Sequence, residues 1–338
     1  MSNKNRKNNY RVSSVDVARL AGVSQSAVSR CFTKGASISE KSRQKVLKAA
    51  RELNYSPNII ARSLVKKATN IIGIVLNRYK SPFYSRVLGQ FTRKIQAKGY
   101  NTLLMDIGND ETVDAVLSTA LQYQVDGLII TSATLSSAMV EGCLTSQTPV
   151  ILFNRYAMYN EVSAVYCDGM DGGRKAADQM IGKHNRFACI KGEEGSSTSR
   201  DRSQGFIQRL EENGISDCLY ERGNYSYESG SAAADKLLSR KDRPDAIFCV
   251  SDLMALGAMD VARYKYGLDI PKDLSIMGFD NINMASWSAY NLSTVKQPVT
   301  RMVDSTLSQL FNEIENNEDH TIVRKIKTEL ILRKSTRN

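Results

Sequence analysis

Two groups of polar side chains in this 338-residue sequence are spaced so that they could do chemistry. The first lies in AGVSQSAVSR, residues 21–30, where Ser24, Gln25, Ser26, Ser29 and Arg30 alternate with small and apolar residues. Glutamine and serine carry both donors and acceptors for base edges, and an arginine fork matches guanine or a phosphate. The second group follows apolar runs: Asn77 after IIGIVL, Asn154 and Arg155 after VILF, Ser251 and Asp252 after IFCV, and Asp280 after IMGF. Each of these alone fits a helix cap. Their shared position just past apolar runs reads as a ligand site at the carboxyl ends of strands.

Neither group contains an assembled nucleophile, base and orienter. No G-x-S-x-G elbow, phosphate-binding G-x-x-x-x-G-K-[ST] loop or metal-ligand spacing occurs, so no catalytic residue, cofactor or metal site is expected. The two histidines, His184 and His320, are far apart. The glycine pair of DGGRKAA (171–177) lacks the G-x-G-x-x-G spacing and fits close helix–strand packing. Six cysteines are scattered without a C-x-x-C pair, the pattern of reduced thiols in a cytoplasmic protein. No apolar run approaches the ~20 residues of a membrane span, and no apolar region follows the basic start MSNKNRKNNY, so no secretory signal is expected.

The elements that must carry the first group are two short helices. Ser14 is read as the cap of one, with Val17, Ala18 and Ala21 as its apolar stripe. Gly22 ends it, because glycine accepts positive φ. Ser24 caps the next helix, in which Val28 and Phe32 face inward and Gln25, Ser26, Ser29 and Arg30 outward. This is helix-turn-helix patterning. A third helix starts after Ser39, with Val46, Leu47, Ala50 and Leu53 inward. Pro57 then opens a segment of about two turns, with Ile60, Ala61 and Leu64 on one face. So short a helix is marginal in water and would form only against a partner. Charge supports this reading. Residues 1–69 hold 15 Lys+Arg and 3 acids, whereas the other 269 hold 31 and 32, so the net +11 resides in the first fifth of the chain. That asymmetry marks a polyanion-binding module on a near-neutral body.

The second group sits in a body of alternating strand and helix patterns. Strands are expected at 71–76, 102–107, 127–132 and 149–154, and a second series at 186–192, 218–223, 245–250 and 274–280. Such alternation gives parallel sheets covered by helices, here as two similar lobes with the polar residues at the cleft between them.

The motifs VARLAGVSQSAVSR, ISEKSRQKVLKAARELNYSPN, ARSL, VDGLII, GGRKAA, RSQGF, SDLMALGAM, LSIMGFDN and LSTVKQP, in this order, resemble those of the lactose-repressor (LacI/GalR) family of bacterial transcription regulators from about residue 13 to 335. The resemblance implies an α/β chain with three parts. Residues 1–56 would form a helix-turn-helix DNA-binding domain and 57–69 a hinge helix and linker. Residues 70–338 would form a periplasmic-binding-protein-like effector and dimerisation domain, with lobe one at about 70–168 plus 298–323 and lobe two at about 169–297 plus 324–335. It implies a homodimer or tetramer on a palindromic operator, with Ser24, Gln25, Ser26, Ser29 and Arg30 in the major groove. Ala61 and Leu64 of the hinge would lie in the minor groove, Leu64 as a wedge between base steps. The effector, a sugar or sugar derivative, would meet Phe83, Tyr84, Asn154, Arg155, Thr198, Arg202, Tyr225, Ser251 and Asp280. Of these, Arg202 and Asp280 would donate to and accept from vicinal hydroxyls.

Ser251 and Asn154 stand where sugar-responsive relatives often carry Asn and Asp, and Arg155 adds a cation. With Arg202 it invites an anionic or phosphorylated sugar; the plainer alternative turns Arg155 to solvent or onto an acid. A sugar receptor would need an export signal and leaves the basic segment unexplained, and an α/β enzyme would need a nucleophile, base or metal set that is not assembled. No heptad tail follows residue 335, which favours a dimer.

Overall fold

The computed structural model describes residues 12–33, 35–56, 68–76, 81–107, 113–131, 145, 148–156, 162–316 and 321–337. The expected hinge residues Ala61 and Leu64, and Asn77, lie outside them. The chain forms two compact units, Met1–Thr69 and Asn70–Asn338.

In the first unit, α1 (Ser14–Ala21), α2 (Gln25–Cys31) and α3 (Glu40–Glu52) enclose a small core. The cap of α1 is Ser13, one residue earlier than expected. Its hydroxyl accepts from the Asp16 amide at 3.4 Å, and the Asp16 carboxylate accepts from the Ser13 amide at 3.0 Å. Asp16 at the third helical position makes this reciprocal capping box, which Ser14 as cap would forgo. Gly22 stands at φ 61°, and the amides of Gly22 and Val23 close back onto Arg19 and Ala18, ending α1 in a Schellman turn. Ser24 and Ser39 cap α2 and α3. Val17, Ala18, Ala21, Val28, Val46 and Ala50 are buried, while Phe32, Leu47 and Leu53 are half-buried against them.

The second unit holds two six-stranded sheets. β1 (Ile71–Leu76), β2 (Asn101–Asp106), β3 (Gly127–Ile130), β4 (Val150–Phe153), β5 (Ser163–Cys167) and β11 (Val323–Ile326) form an all-parallel sheet in the order β11-β5-β4-β3-β1-β2. β6 (Phe187–Lys191), β7 (Leu219–Arg222), β8 (Ala246–Cys249), β9 (Ser275–Asp280), β10 (Ser293–Lys296) and β12 (Glu329–Ile331) form the other, in the order β12-β10-β9-β8-β6-β7. Here β12 runs antiparallel to β10, so this sheet is parallel except at that edge. Helices α4 (Pro82–Ala97), α5 (Val113–Gln122) and α10 (Val299–Asn316) belong to lobe one. Helices α6 (Gly169–Met180), α7 (Ser197–Glu211), α8 (Tyr227–Leu238) and α9 (Asp252–Asp260) belong to lobe two.

The chain passes between lobes after β5, between β10 and α10, and between β11 and β12. The last passage falls after 326 instead of 323, because Val323–Ile326 pair with Ala164–Cys167 of lobe one. The three passages lie side by side: the Asp168 amide donates to the Ile326 carbonyl, and Lys296 faces Glu329 across the β10–β12 pair.

The glycines of DGGRKAA have two different neighbours. A Cβ on Gly172 would meet the Phe279 ring at 2.7 Å, the helix–strand contact anticipated. A Cβ on Gly173 would instead meet the Arg202 carbonyl at 2.2 Å and the Phe206 amide at 2.7 Å, so this glycine lets α6 approach the backbone of α7.

Candidate functional site

The cleft residues follow β4, β9 and the start of α7, as the ends of parallel strands dictate. Asp280 closes β9, and Arg202 reaches it from the second turn of α7. Arg202 Nη1 donates to Asp280 Oδ1 at 3.1 Å and to the Val250 carbonyl at 2.8 Å. Its guanidinium carbon lies 3.8 Å from the centre of the Phe279 ring. Gln297 Nε2 donates to the same Asp280 oxygen at 2.6 Å. Burial raises the Asp280 carboxyl, and Arg202 opposes that rise. Beside it, fully buried Asp252 is pushed up to about 7 by burial and then by Asp280, while accepting from Thr294 and the Ile282 amide.

This pair leaves hydrogen-bonding capacity unused. Among the described residues, Arg202 Nε, Gln297 Oε1 and Asn154 Oδ1 are buried without a partner. Orphaned polar atoms are costly in a closed core, and here they converge on one cleft. The backbone is also unusual there: Asn154, Tyr225 and Asp280 have φ of 60°, 67° and 119°. Non-glycine residues in that region concentrate at ligand sites, where surrounding structure holds the strain.

Arg155 is 5% exposed. Its Nε donates to the Thr131 carbonyl at 2.9 Å within lobe one, and its Nη1 donates to Ser196 Oγ at 3.2 Å across the cleft. Ser196 caps α7 and meets the Tyr225 hydroxyl at 2.7 Å and Thr198 Oγ1 at 2.9 Å. A second bridge joins the lobes where the Tyr156 hydroxyl donates to Asp201 at 2.9 Å and accepts from Arg200 at 2.7 Å. Burial raises the Asp201 carboxyl, with Tyr156 and Arg200 pulling the other way. A small gap of about 10 Å³, room for about one water, lies among Asn154, Arg155, Tyr156, Ser197, Thr198, Asp201 and Arg202 and opens to solvent.

The remaining expected positions fall close by. Phe83 packs edge-on against Tyr84 at 5.1 Å, and both are buried in the core. The Ser251 hydroxyl accepts from the Met254 amide and caps α9. In the first unit, Ser24, Gln25, Ser26, Ser29 and Arg30 are all exposed, while Ala27, Val28 and Cys31 of the same helix are buried. Gln25 Nε2 donates to Ser14 Oγ at 3.1 Å. Arg30 has no acidic partner among the described residues.

A basic three-helix unit and a two-lobed α/β unit with a polar cleft together match known proteins along nearly the whole chain. Residues 69–334 match the family described as periplasmic binding proteins and sugar binding domain of the LacI family, and residues 15–58 match bacterial regulatory proteins, lacI family. The chain belongs to the LacI family. The HTH-type transcriptional repressor PurR of Vibrio vulnificus is 31% identical over 325 residues, 94% of this chain and 96% of that one. The lac repressor dimer bound to operator and the anti-inducer ONPF superposes with a TM-score of 0.86 at 25% identity, covering 97% of this chain and 99% of that one. The complex of the transcriptional regulator CelR with cellobiose does so with a TM-score of 0.73 at 27% identity, covering 96% and 100%. As a LacI-family member this protein is a DNA-binding transcriptional regulator, and it is not an enzyme.

Sequence reasoning missed Ser196, Tyr156, Asp201 and Gln297 in the cleft of this LacI-family protein. Ser196 carried a legible signal, since it precedes a helix-length segment as a cap would. Gln297 lies in the LSTVKQP motif, but only the fold brings it to Asp280.

Proposed function

We propose that this LacI-family regulator is a repressor that works as a homodimer on a palindromic operator in the cytoplasm, and that a small sugar-like effector held between the lobes alters its operator affinity. The observation that carries the effector reading is the buried Arg202–Asp280–Gln297 cluster with its unused donor and acceptors. A polyol supplies hydroxyls that both donate and accept, which is what those atoms lack. The coupling between sites would be ~1–3 kcal/mol, and it requires that the effector prefer one lobe arrangement.

The dimer reading is supported by two exposed aromatic residues of lobe two, Tyr264 (84%) and Trp287 (54%). Their segments are tied together, Arg263 donating to the Ala289 carbonyl at 2.6 Å and Tyr290 to Asp260 at 3.0 Å. Exposed aromatics on a braced surface suit a protein interface.

Asp280→Asn is the test of the effector site. Alanine there would leave the Arg202 guanidinium buried and unpaired, at about 3–5 kcal/mol, and would confuse stability with function. A thermal-shift screen of the wild type against sugars, sugar phosphates and nucleobases identifies the effector; at 100 times its Kd a ligand adds about 2.7 kcal/mol. Asp280→Asn is expected to lose that shift and keep its operator affinity. An unaltered response in this variant removes Asp280 from the site.

The hinge reading makes a separate prediction. Leu64→Ala is expected to weaken specific operator binding far more than binding to random duplex in a salt-matched titration. Equal losses on both would make the segment a plain linker.

A further inference from the structure

The cleft holds an arginine whose charge nothing in the described protein balances. Asp201 lines the space, and Asp168 and Asp280 adjoin or bond to residues that do; each already faces a cation: Asp280 meets Arg202 at 3.1 Å, Asp201 meets Arg200 at 3.5 Å, and Asp168 meets Lys325 at 3.2 Å. Arg155 is the cation left over among the described residues of the cleft. It is only 5% exposed, and no acid pairs with it among the described residues. A buried guanidinium is ordinarily paired, because removing it from water without a counter-charge is costly. Its two hydrogen bonds go to a carbonyl and a serine hydroxyl, which use two of five N–H donors.

A second feature converges on the same place. Ser196, which Arg155 touches, is the cap of the 15-residue helix α7, and Ser197 and Thr198 of its first turn line the space. No acidic residue lies in that turn. The N-terminal amides and dipole of a helix favour an anion. The hydroxyls of Ser196, Thr198 and Tyr225, all within 3.1 Å of one another, can turn their protons toward it. Of the nearby acids, Glu194 is turned away to Arg222 at 3.3 Å. Asp201 is occupied by Tyr156 and Arg200.

Resting on the proposed effector site, we infer that the effector of this protein is an anion: a polyol carrying a phosphate or carboxylate group, with that group seated between Arg155 and the N-terminus of α7 and its hydroxyls on Arg202 and Asp280. Bound this way, the anion would tie lobe one to lobe two through Arg155 and α7. It would supply the missing counter-charge at the point where the lobes meet.

The test uses the full-length protein and isothermal titration with inorganic phosphate at constant ionic strength, against chloride, for wild type, Arg155→Gln and Arg155→Lys. Circular dichroism checks that each variant is folded. Phosphate is expected to bind wild type, to bind Arg155→Gln at least about tenfold more weakly, and to be largely restored by Arg155→Lys, which keeps the charge. Equal binding by wild type and Arg155→Gln, or no binding beyond chloride, overturns the inference. A thermal-shift panel pairing each neutral sugar with its phosphate and its sugar acid separates this outcome from failure of the effector site. A neutral sugar that protects wild type as well as its anionic partner, and loses that protection in Asp280→Asn, keeps the cleft site and overturns the anion. Arg155-dependent phosphate binding without any Asp280-dependent sugar upholds the anion and overturns the polyol.

Discussion

A Gly173→Ala variant is expected to lose at least about 2 kcal/mol of stability, against the trend for its location. Gly173 lies inside α6, where alanine would ordinarily gain ~1 kcal/mol in helix propensity. The gain is overridden because the added methyl would sit 2.2 Å from the Arg202 carbonyl and 3.1 Å from the Gly205 carbonyl carbon, both main-chain atoms of α7. Backbone cannot step aside as a side chain can, so the two helices must separate. Gly89, inside α4 with nothing within 4 Å of its Cβ position, provides the control. There the same substitution is expected to stabilise. Urea unfolding of both variants checks the pair; equal stability of Gly173→Ala and wild type would show that α6 and α7 are not in that contact. Since α7 also carries Thr198 and Arg202, a folded Gly173→Ala should bind effector more weakly.

The second large effect concerns DNA. A fragment of residues 70–338 is expected to lose specific operator binding altogether, a fall of ~10³-fold or more. It removes the exposed face of Ser24, Gln25, Ser26, Ser29 and Arg30, and it changes the net charge from +11 to −1. A slightly acidic protein has no counterion release to gain from phosphates. The fragment contains both sheets and their buried clusters, so its effector-induced thermal shift should persist. Operator sequences selected by the full-length protein from a random duplex pool supply the probe. Retention of specific affinity by the fragment would contradict the assignment of DNA reading to the first unit.

Much of this arrangement was legible in the sequence where the signal was local. The helix-turn-helix could be read because Gly22, Ser24 and the stripe of Val17, Ala18 and Ala21 each have one strong local meaning. Strands such as IIGIVL and AIFC could be read because both faces are covered and the whole run is apolar. β10 was not, since it opens with Ser293 and Thr294, buried residues that look like loop until Thr336 and Asp252 are seen to satisfy their hydroxyls. β11, reading VRKI, lies at an edge with its first three residues exposed, and no apolar run marks it. In the cleft, Arg202 and Asp280 could be named from motifs. The fact that Arg155 lacks an acid could not, because it depends on which cation each of three carboxylates, far away in sequence, has taken.

The three neighbouring passages between the lobes have a mechanical consequence. One strand of chain would leave the lobes free to swivel about any axis. Three side by side, at about 168, 297 and 327 and bonded to one another at Asp168–Ile326 and Lys296–Glu329, resist twist and shear and leave one soft bending axis. The opening angle is then the single coordinate that any molecule in the cleft can push. On the proposed effector reading, one that clasps Arg155 to α7 would narrow it, and one too bulky to be clasped would widen it. On that reading, ligands in one cleft could have opposite effects on operator affinity, with the size of the ligand, as much as its chemistry, deciding the direction.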